Sequence, residues 1–377
     1  MMLSCFYIDN YSYQENILPR QNAIDGHDVL ILASTETYLF NEKLGYIEPK
    51  EYINQDGIKV KRIGYRSLPL GDFLKSKIRS YKNTYKIIEG FAPDIIMFHG
   101  TAALDIISVA RYKKNNPKVK FYVDSHEDFN NSARTLFSKY VLHKFFYKKS
   151  INIALPYIDK IFYVGYECVN FLKDLYNIPE AKLEYFPLGG TIYTESDRLS
   201  KREKIRCFLD LKSDDLLLVH SGKMDVKKRT ADIVNAFLKA EADNLVFVII
   251  GSMSDAVKNE LLTLVDNNQK IRYLGWKSAD ELLDYLCACD LYVQPGGQSA
   301  TMQNALCCGA AAALYPHESH KYLLGDSVFY IETVDDMKDL FELIAKNPQI
   351  LEEKRRISFK IAQEKLDYKK LAARLYE

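Results

Sequence analysis

Two lysines, Lys223 and Lys228, follow Gly222 at the end of an apolar run in HSGKMDVKKRTADIVNAF, residues 220–237. A pair of fixed cations beside a glycine can hold a diphosphate, each ammonium acting as a point charge. A solvated basic turn is the other reading of these residues. The stretch PGGQSATMQNALCCG (295–309) differs in kind. Gly296, Gly297, Gln298 and Ser299 carry no charge, and the amides Gln303 and Asn304 follow on the first turn of a predicted helix. A neutral turn feeding a helix N-terminus leaves backbone N–H groups for an anion such as a phosphate. Without a ligand, the same residues are a turn and a capped helix. In GSMSD, Gly251 ends a very apolar strand and allows close backbone approach.

The seven cysteines include two close pairs, Cys287 with Cys289 and Cys307 with Cys308. An odd number in this pattern argues against a secreted disulfide framework. No CxxC or histidine pair has metal spacing, so zinc is a poor reading and no metal is expected. Buried reduced thiols in a cytoplasmic protein are the expectation.

The elements that must position these residues alternate along the chain. LSCFYI (3–8), DVLILAS (28–34), IKVKRIG (58–64), DIIMF (94–98), KFYVDS (120–125), KIFYVG (160–165) and LEYFPLG (183–189) read as strands. Amphipathic helical stretches separate most of them, such as those after Gln14 and from Leu74 to Ile88. The second half repeats the scheme with LLLVHSG (216–222), NLVFVIIG (244–251), IRYLG (271–275), LYVQP (291–295), AAALY (311–315) and SVFYI (327–331). Near-continuous apolar strands separated by helices predict α/β architecture with parallel sheets covered on both faces. Two series predict two doubly wound domains, 1–200 and 201–348, joined around the polar stretch 190–205, with a charged helical segment at 349–377.

Composition sets limits. At 377 residues the chain exceeds one compact core; it is 47% hydrophobic and 27% charged with a net charge of +1, as in soluble globular proteins. That charge suggests neither nucleic acid nor an acidic substrate as partner. No apolar run reaches the roughly eighteen residues that span a bilayer. MMLSCFYIDN lacks a basic region and a cleavage site, so it reads as a first strand rather than a signal peptide.

Together HSGKMDVKKRTADIVNAF, VFVIIGSM, IRYLGWKSADELLDYLCACDLYVQP and NALCCGAAA resemble, in order and spacing, the C-terminal half of a GT-B glycosyltransferase, in particular the retaining family 4 group. YSYQENILPRQNAIDGHDVLILAS and FYVDSHEDF fit its N-terminal half more loosely. The resemblance implies two Rossmann-like domains facing a cleft, the N-terminal one holding an acceptor and the C-terminal one a nucleoside-diphosphate sugar. It also implies that the final helix, from Gln349, crosses back to the N-domain. Carried over by position, the donor's diphosphate falls to Lys223, where arginine is more usual, and Lys228. The glycine-rich strand end falls on Gly251, and the base-contacting loop near Tyr273, Leu274, Gly275 and Trp276. The family's two glutamates, one near the sugar and one on the ribose, fall on Gly296 and Asn304, so both carboxylates are missing. Asn304 can still bond ribose hydroxyls, whereas the sugar contact passes to Gln298, to water or to a differently shaped donor.

On the acceptor side the resemblance places an active-site histidine near His126, to steer the acceptor hydroxyl rather than act as a strong base. His99, at another strand end, competes for that role, and a salt-bridged loop histidine is the alternative. Tyr13, Gln14, Glu15 and Asn16 stand where the family has a glycine-rich turn and can line the acceptor pocket; an ordinary helix start is the other reading.

Independently of the family, residues 59–149 hold 19 Lys and Arg against 7 Asp and Glu. FLKSKIRSYKNTYK (73–86) and LFSKYVLHKFFYKK (136–149) interleave basic and aromatic residues, which suits an anionic lipid surface or a solvated face over a packed stripe. With what the resemblance implies, the expectation is a cytoplasmic hexosyltransferase of surface polysaccharide synthesis, peripheral on the inner membrane face: retaining, metal-independent, and acting on a glycan or lipid-linked acceptor. A non-catalytic nucleotide-sugar or glycan-binding protein and a GT-B sugar-nucleotide epimerase are the alternatives.

Overall fold

The computed structural model describes residues 1–4, 6–11, 13–39, 44–66, 77–266 and 268–377. The chain divides into two compact units, Met1–Pro187 with Leu371–Glu377, and Leu188–Lys370.

The first unit is built on ten strands: β1 (Met2–Ser4), β2 (Leu30–Ser34), β3 (Glu36–Tyr38), β4 (Leu44–Tyr46), β5 (Lys50–Ile53), β6 (Lys59–Ile63), β7 (Ile95–His99), β8 (Lys120–Ser125), β9 (Lys160–Tyr163) and β10 (Leu183–Tyr185). Eight form one sheet in the order β10-β9-β8-β7-β1-β2-β6-β5, parallel except for β5 at the edge, while β3 and β4 make a separate hairpin. The chain winds outward from β1 through β2 to β6, then restarts at β7 and winds the other way. The topological switch point thus lies between β1 and β7, where ligands enter doubly wound sheets. Buried Ile96, Phe98, Phe121, Val123 and Ile161 fill the core with Ile106, Val109, Ile151 and Leu172 from the covering helices.

The second unit has six parallel strands: β11 (Leu216–Ser221), β12 (Leu245–Ile250), β13 (Ile271–Tyr273), β14 (Leu291–Gln294), β15 (Ala311–Leu314) and β16 (Phe329–Tyr330). Their order is β13-β12-β11-β14-β15-β16, so its switch point lies between β11 and β14. All six residues of β12 are buried, as an apolar run covered on both faces requires. The predicted α/β class and all thirteen predicted strands are present, most of them shorter than read.

Several boundaries differ from expectation. The stretch expected to link the domains holds a helix, Glu195–Phe208, which belongs to the second unit and is capped by Thr194 Oγ1 accepting from Asp197 N–H. Only Ile205 of that helix is buried, so it carries no apolar period. It docks through charge: Arg202 and Arg206 reach Asp290, and Lys201 and Lys204 reach Asp284. The segment 349–377 divides. Its helix Gln349–Lys365 counts with the second unit, while Leu371–Glu377 counts with the first, where Tyr376 stacks on His27 and Arg374 pairs with Glu184. Of the helix read from Leu74, residues 74–76 lie outside the described residues. Lys77 and Ile78 are helical, Arg79 and Asn83 then turn the chain with positive φ, and a separate helix runs over Thr84–Phe91.

Candidate functional site

In the second unit, the loops after β11, β12, β13 and β14 gather the predicted donor residues at the carboxyl ends of the strands. Gly251 has φ +136°, and a Cβ there would lie 1.8 Å from Gly222 O. The two strand ends therefore meet only because residue 251 is glycine. Gly251 N–H donates to Gly275 O at 2.8 Å, and the Tyr273 hydroxyl to Gly251 O at 2.9 Å, which ties the 273–276 loop to the same point. Trp276 is exposed beside it.

Lys223 is exposed, whereas Lys228 is half-buried and donates to Gly297 O at 3.3 Å. Burial pushes the Lys228 ammonium down from its usual range, with Asp225 opposing. Its turn, Val226–Lys228, is held by Asp225 Oδ1 accepting from Lys228 N–H. Against this turn packs the 295–299 loop. A Cβ at Gly296 would stand 2.1 Å from Lys227 O, the same oxygen that accepts Gly297 N–H at 3.1 Å. Gly296 is thus required by packing between two turns, a reason that spacing alone does not disclose.

Gln294, fully buried and absent from the sequence reading, stitches the loop. Its Nε2 donates to Gly297 O at 2.8 Å, and its Oε1 accepts from Ser299 Oγ at 2.7 Å. Ser299 consequently faces the sheet and does not cap the helix Ala300–Cys307, whose first turn has no side-chain cap. Gln298 is exposed. Asn304 is buried on that helix, and its neighbour Gln303 accepts from Gly189 N–H at 2.6 Å. Buried His220 crosses the switch point: Nδ1–H donates to Val293 O at 2.7 Å, and Nε2 lies 3.1 Å from the Thr230 hydroxyl. Burial pushes its pKa down to about 4, the Val293 bond opposing and Lys228 adding, so the ring is neutral at physiological pH.

In the first unit, the switch point holds the predicted acceptor residues. Gln14, Glu15 and Asn16 open the helix Gln14–Ile24 and are buried, and Asn16 Nδ2 donates to Ile8 O at 2.8 Å. His99 ends β7 and is held at both ring nitrogens, Nδ1 2.7 Å from Asp124 Oδ2 and Nε2 3.4 Å from Glu15 Oε2. Burial alone would lower its pKa, but Asp124 and Glu15 outweigh it and push it up to about 10. His99 is therefore a buried imidazolium and not a base at neutral pH. Fully buried Asp124 also accepts Gly100 N–H at 2.8 Å; burial works against its ionisation, yet the two histidines hold it well below the usual carboxylate range. His126 is the more open ring, 33% exposed against 15%, with Nε2 3.1 Å from Gln14 Oε1 and 3.6 Å from Asp124 Oδ2. The structure thus separates two histidines that the sequence left in competition.

Among the described residues, His99, Asp124 and His126 alone present a group of ligand atoms with metal spacing, within 4.8 Å of one another. A cation there would have to displace the His99 proton. The six described cysteines are free thiols, none of them in that group, and burial pushes the Cys289 and Cys307 thiols up.

Residues 201–364 match the family model of glycosyl transferases group 1. Solved structures share the whole architecture. Anabaena HepE in complex with UDP and glucose has a TM-score of 0.68 at 12% identity, covering 100% of this chain and 98% of its own. A glycosyltransferase from Rickettsia africae has 0.68 at 15%, with 99% and 96% covered. Sucrose-phosphate synthase from Thermosynechococcus elongatus has 0.68 at 11%, with 100% and 97% covered. The fold is that of the GT-B glycosyltransferases. No curated protein matches the chain in sequence. The family match falls within the second unit of this GT-B chain, where the lysine turn, the glycine turn and the 273–276 loop converge.

Proposed function

We propose that this chain transfers a sugar from a nucleoside-diphosphate sugar to a glycan or lipid-linked acceptor, with retention and without a metal ion, in surface polysaccharide synthesis. The observation that carries the reading is the convergence of Lys228, the uncapped helix at 300 and the 273–276 loop on one switch point, inside the segment that matches glycosyl transferases group 1. Lys228, with Lys223, would hold the diphosphate, and the first-turn N–H groups after Ser299 would take a phosphate oxygen. Backbone groups of 273–276 would read the base, and Asn304 the ribose. His126 would orient the acceptor, with Asp124 and Gln14 fixing its ring and the His99 imidazolium holding Asp124 ionised.

Thermal shift with UDP and UDP-glucose, followed by donor turnover with and without acceptor, tests the reading. A specific nucleotide at about a hundred times its Kd should add about 2.7 kcal/mol of stability. No shift with any nucleoside diphosphate would refute it. Donor binding with no hydrolysis or transfer under any condition would instead favour a non-catalytic binder, to which the missing carboxylates point.

An anionic membrane surface is the further partner we propose. Among the described residues no helix is long and apolar enough to cross a membrane. The helical stretch Phe137–Tyr147 nevertheless exposes Phe137, Tyr140, Val141 and Phe145, preceded by exposed Leu136, with Lys139, Lys144, Lys148 and Lys149 alongside. Phe146, in the same stretch, is partly buried and packs against the core beside Tyr147. In the other basic stretch Tyr81 belongs to the core and Tyr85 packs against it, and 73–76 lie outside the described residues.

A further inference from the structure

The hairpin after β2 lies at the carboxyl end of the first sheet and pairs Glu36 with Tyr46, Thr37 with Gly45 and Tyr38 with Leu44. Side chains alternate across a strand, so Glu36, Tyr38, Leu44 and Tyr46 share one face, while Thr37, on the other, is buried. On the shared face Leu44 and Tyr46 are exposed, and Glu36 and Tyr38 are partly so. The aromatic surface extends in both directions. Tyr38 meets Tyr11 at 6.1 Å, which stacks on Tyr13 at 5.2 Å; Tyr46 meets Tyr65 at 6.1 Å. Tyr65 donates to Glu36 Oε2 at 3.3 Å. Tyr13 is 39% exposed and Tyr46 53%. Tyr13 directly precedes Gln14, which bonds His126, so one end of the aromatic row adjoins the histidine pair.

We infer that this row is a binding platform for a neutral pyranoside, and that the acceptor is recognised as a sugar ring. The inference rests on the reading of the first unit as the acceptor side. A pyranose has one face of C–H groups that lies on aromatic rings and a rim of hydroxyls that bonds phenols, carboxylates and amides. Tyr11, Tyr13, Tyr38 and Tyr46 supply the rings, with Glu36 for the rim. An acyl chain would be served by an aliphatic surface, whereas Leu44 is the single aliphatic side chain among Glu36, Tyr38, Leu44 and Tyr46; a phosphate would be served by cations, whereas the charged group bonded into this row is a carboxylate.

The test is saturation-transfer difference NMR on the full chain with methyl glycosides of glucose, galactose, mannose and N-acetylglucosamine. At least one should receive saturation, concentrated on the C–H protons of one ring face. Tyr13→Ala and Tyr46→Ala, at exposed positions, should each weaken it about fivefold to tenfold, while Tyr46→Phe keeps most of it. Absence of transfer from all four glycosides, or identical binding by both alanine variants, would overturn the inference. So would displacement of a bound glycoside by dodecylphosphocholine below its micellar concentration. UDP thermal shift runs in parallel: a UDP response without glycoside binding sinks the platform alone, and glycoside binding without any nucleotide response sinks the donor reading alone.

Discussion

Substituting Gly296 by alanine offers a sharp trial of how the 295–299 loop is built. The added Cβ would stand 2.1 Å from Lys227 O, so one of the two turns must retreat by about 1 Å to restore ordinary contact. Lys227 O is backbone, so the retreat cannot be a side-chain rotation. Overpacking of this kind costs about 1–3 kcal/mol, and loss of the Gly297 N–H bond to the same oxygen adds about 0.5–1.5 kcal/mol. For a unit of this size each kcal/mol lowers Tm by about 2–4 °C, so calorimetry should show a drop of about 5–15 °C. UDP affinity should fall as well, because Lys228 follows Lys227 on the displaced turn. Gly297→Ala is the internal control: its Cβ meets nothing within 4 Å, so stability should stay within about 0.5 kcal/mol of wild type. Equal Tm values for Gly296→Ala and wild type would refute the packing argument.

Lys228→Ala should weaken UDP and UDP-sugar binding alike by about 1.5–3 kcal/mol in titration calorimetry, the range of a charge-assisted contact; unchanged nucleotide affinity would remove Lys228 from the site. His220 refuses a proton until about pH 4, whereas the unfolded chain accepts one below about 6.5. Stability should thus fall by up to about 3 kcal/mol as pH drops through that window, and His220→Asn should flatten this part of the urea-midpoint profile. His99 has the opposite sign: its stabilisation is complete below about 6.5 and is lost as pH rises towards about 10. His126→Ala should lower turnover strongly and leave UDP affinity intact; if His99→Ala alone does so, the two roles exchange. The chain should bind anionic vesicles at low salt and ignore neutral ones, and reversing Lys148 and Lys149 to Glu should abolish that binding, each lysine being worth about 1 kcal/mol.

What was legible in the sequence is what leaves an apolar period. LVFVII is continuous because both faces of β12 are covered, and its neighbours read the same way. The hairpin 36–46 left no such trace, since its shared face is exposed and aromatic and its strands are three residues long. The helix Glu195–Phe208 was hidden for a different reason. It is fastened by ion pairs to Asp284 and Asp290, and such partners lie about eighty residues away along the chain. Lys228, Gly251 and His126 could be picked out by type and by their place at strand ends. Gln294, His220 and Asp124 could not, because each acts through backbone and side-chain partners that only the folded sheet brings near.

Gly296 joins these two limits. Resemblance marks its position for a carboxylate, and the residue found there reads from sequence as a plain loss of chemistry. In the folded chain it is instead the residue without a Cβ on which the approach of the Lys227 carbonyl depends. A glutamate restored at 296 would meet the same oxygen that alanine does, and would disturb the Lys228 turn before its carboxylate could reach a sugar. The departure is therefore built into the loop rather than confined to one side chain. On the proposed donor reading, whatever takes the sugar's hydroxyls would be found around Gly296, among exposed Gln298, Lys223 and backbone groups, and not by reversing a single substitution.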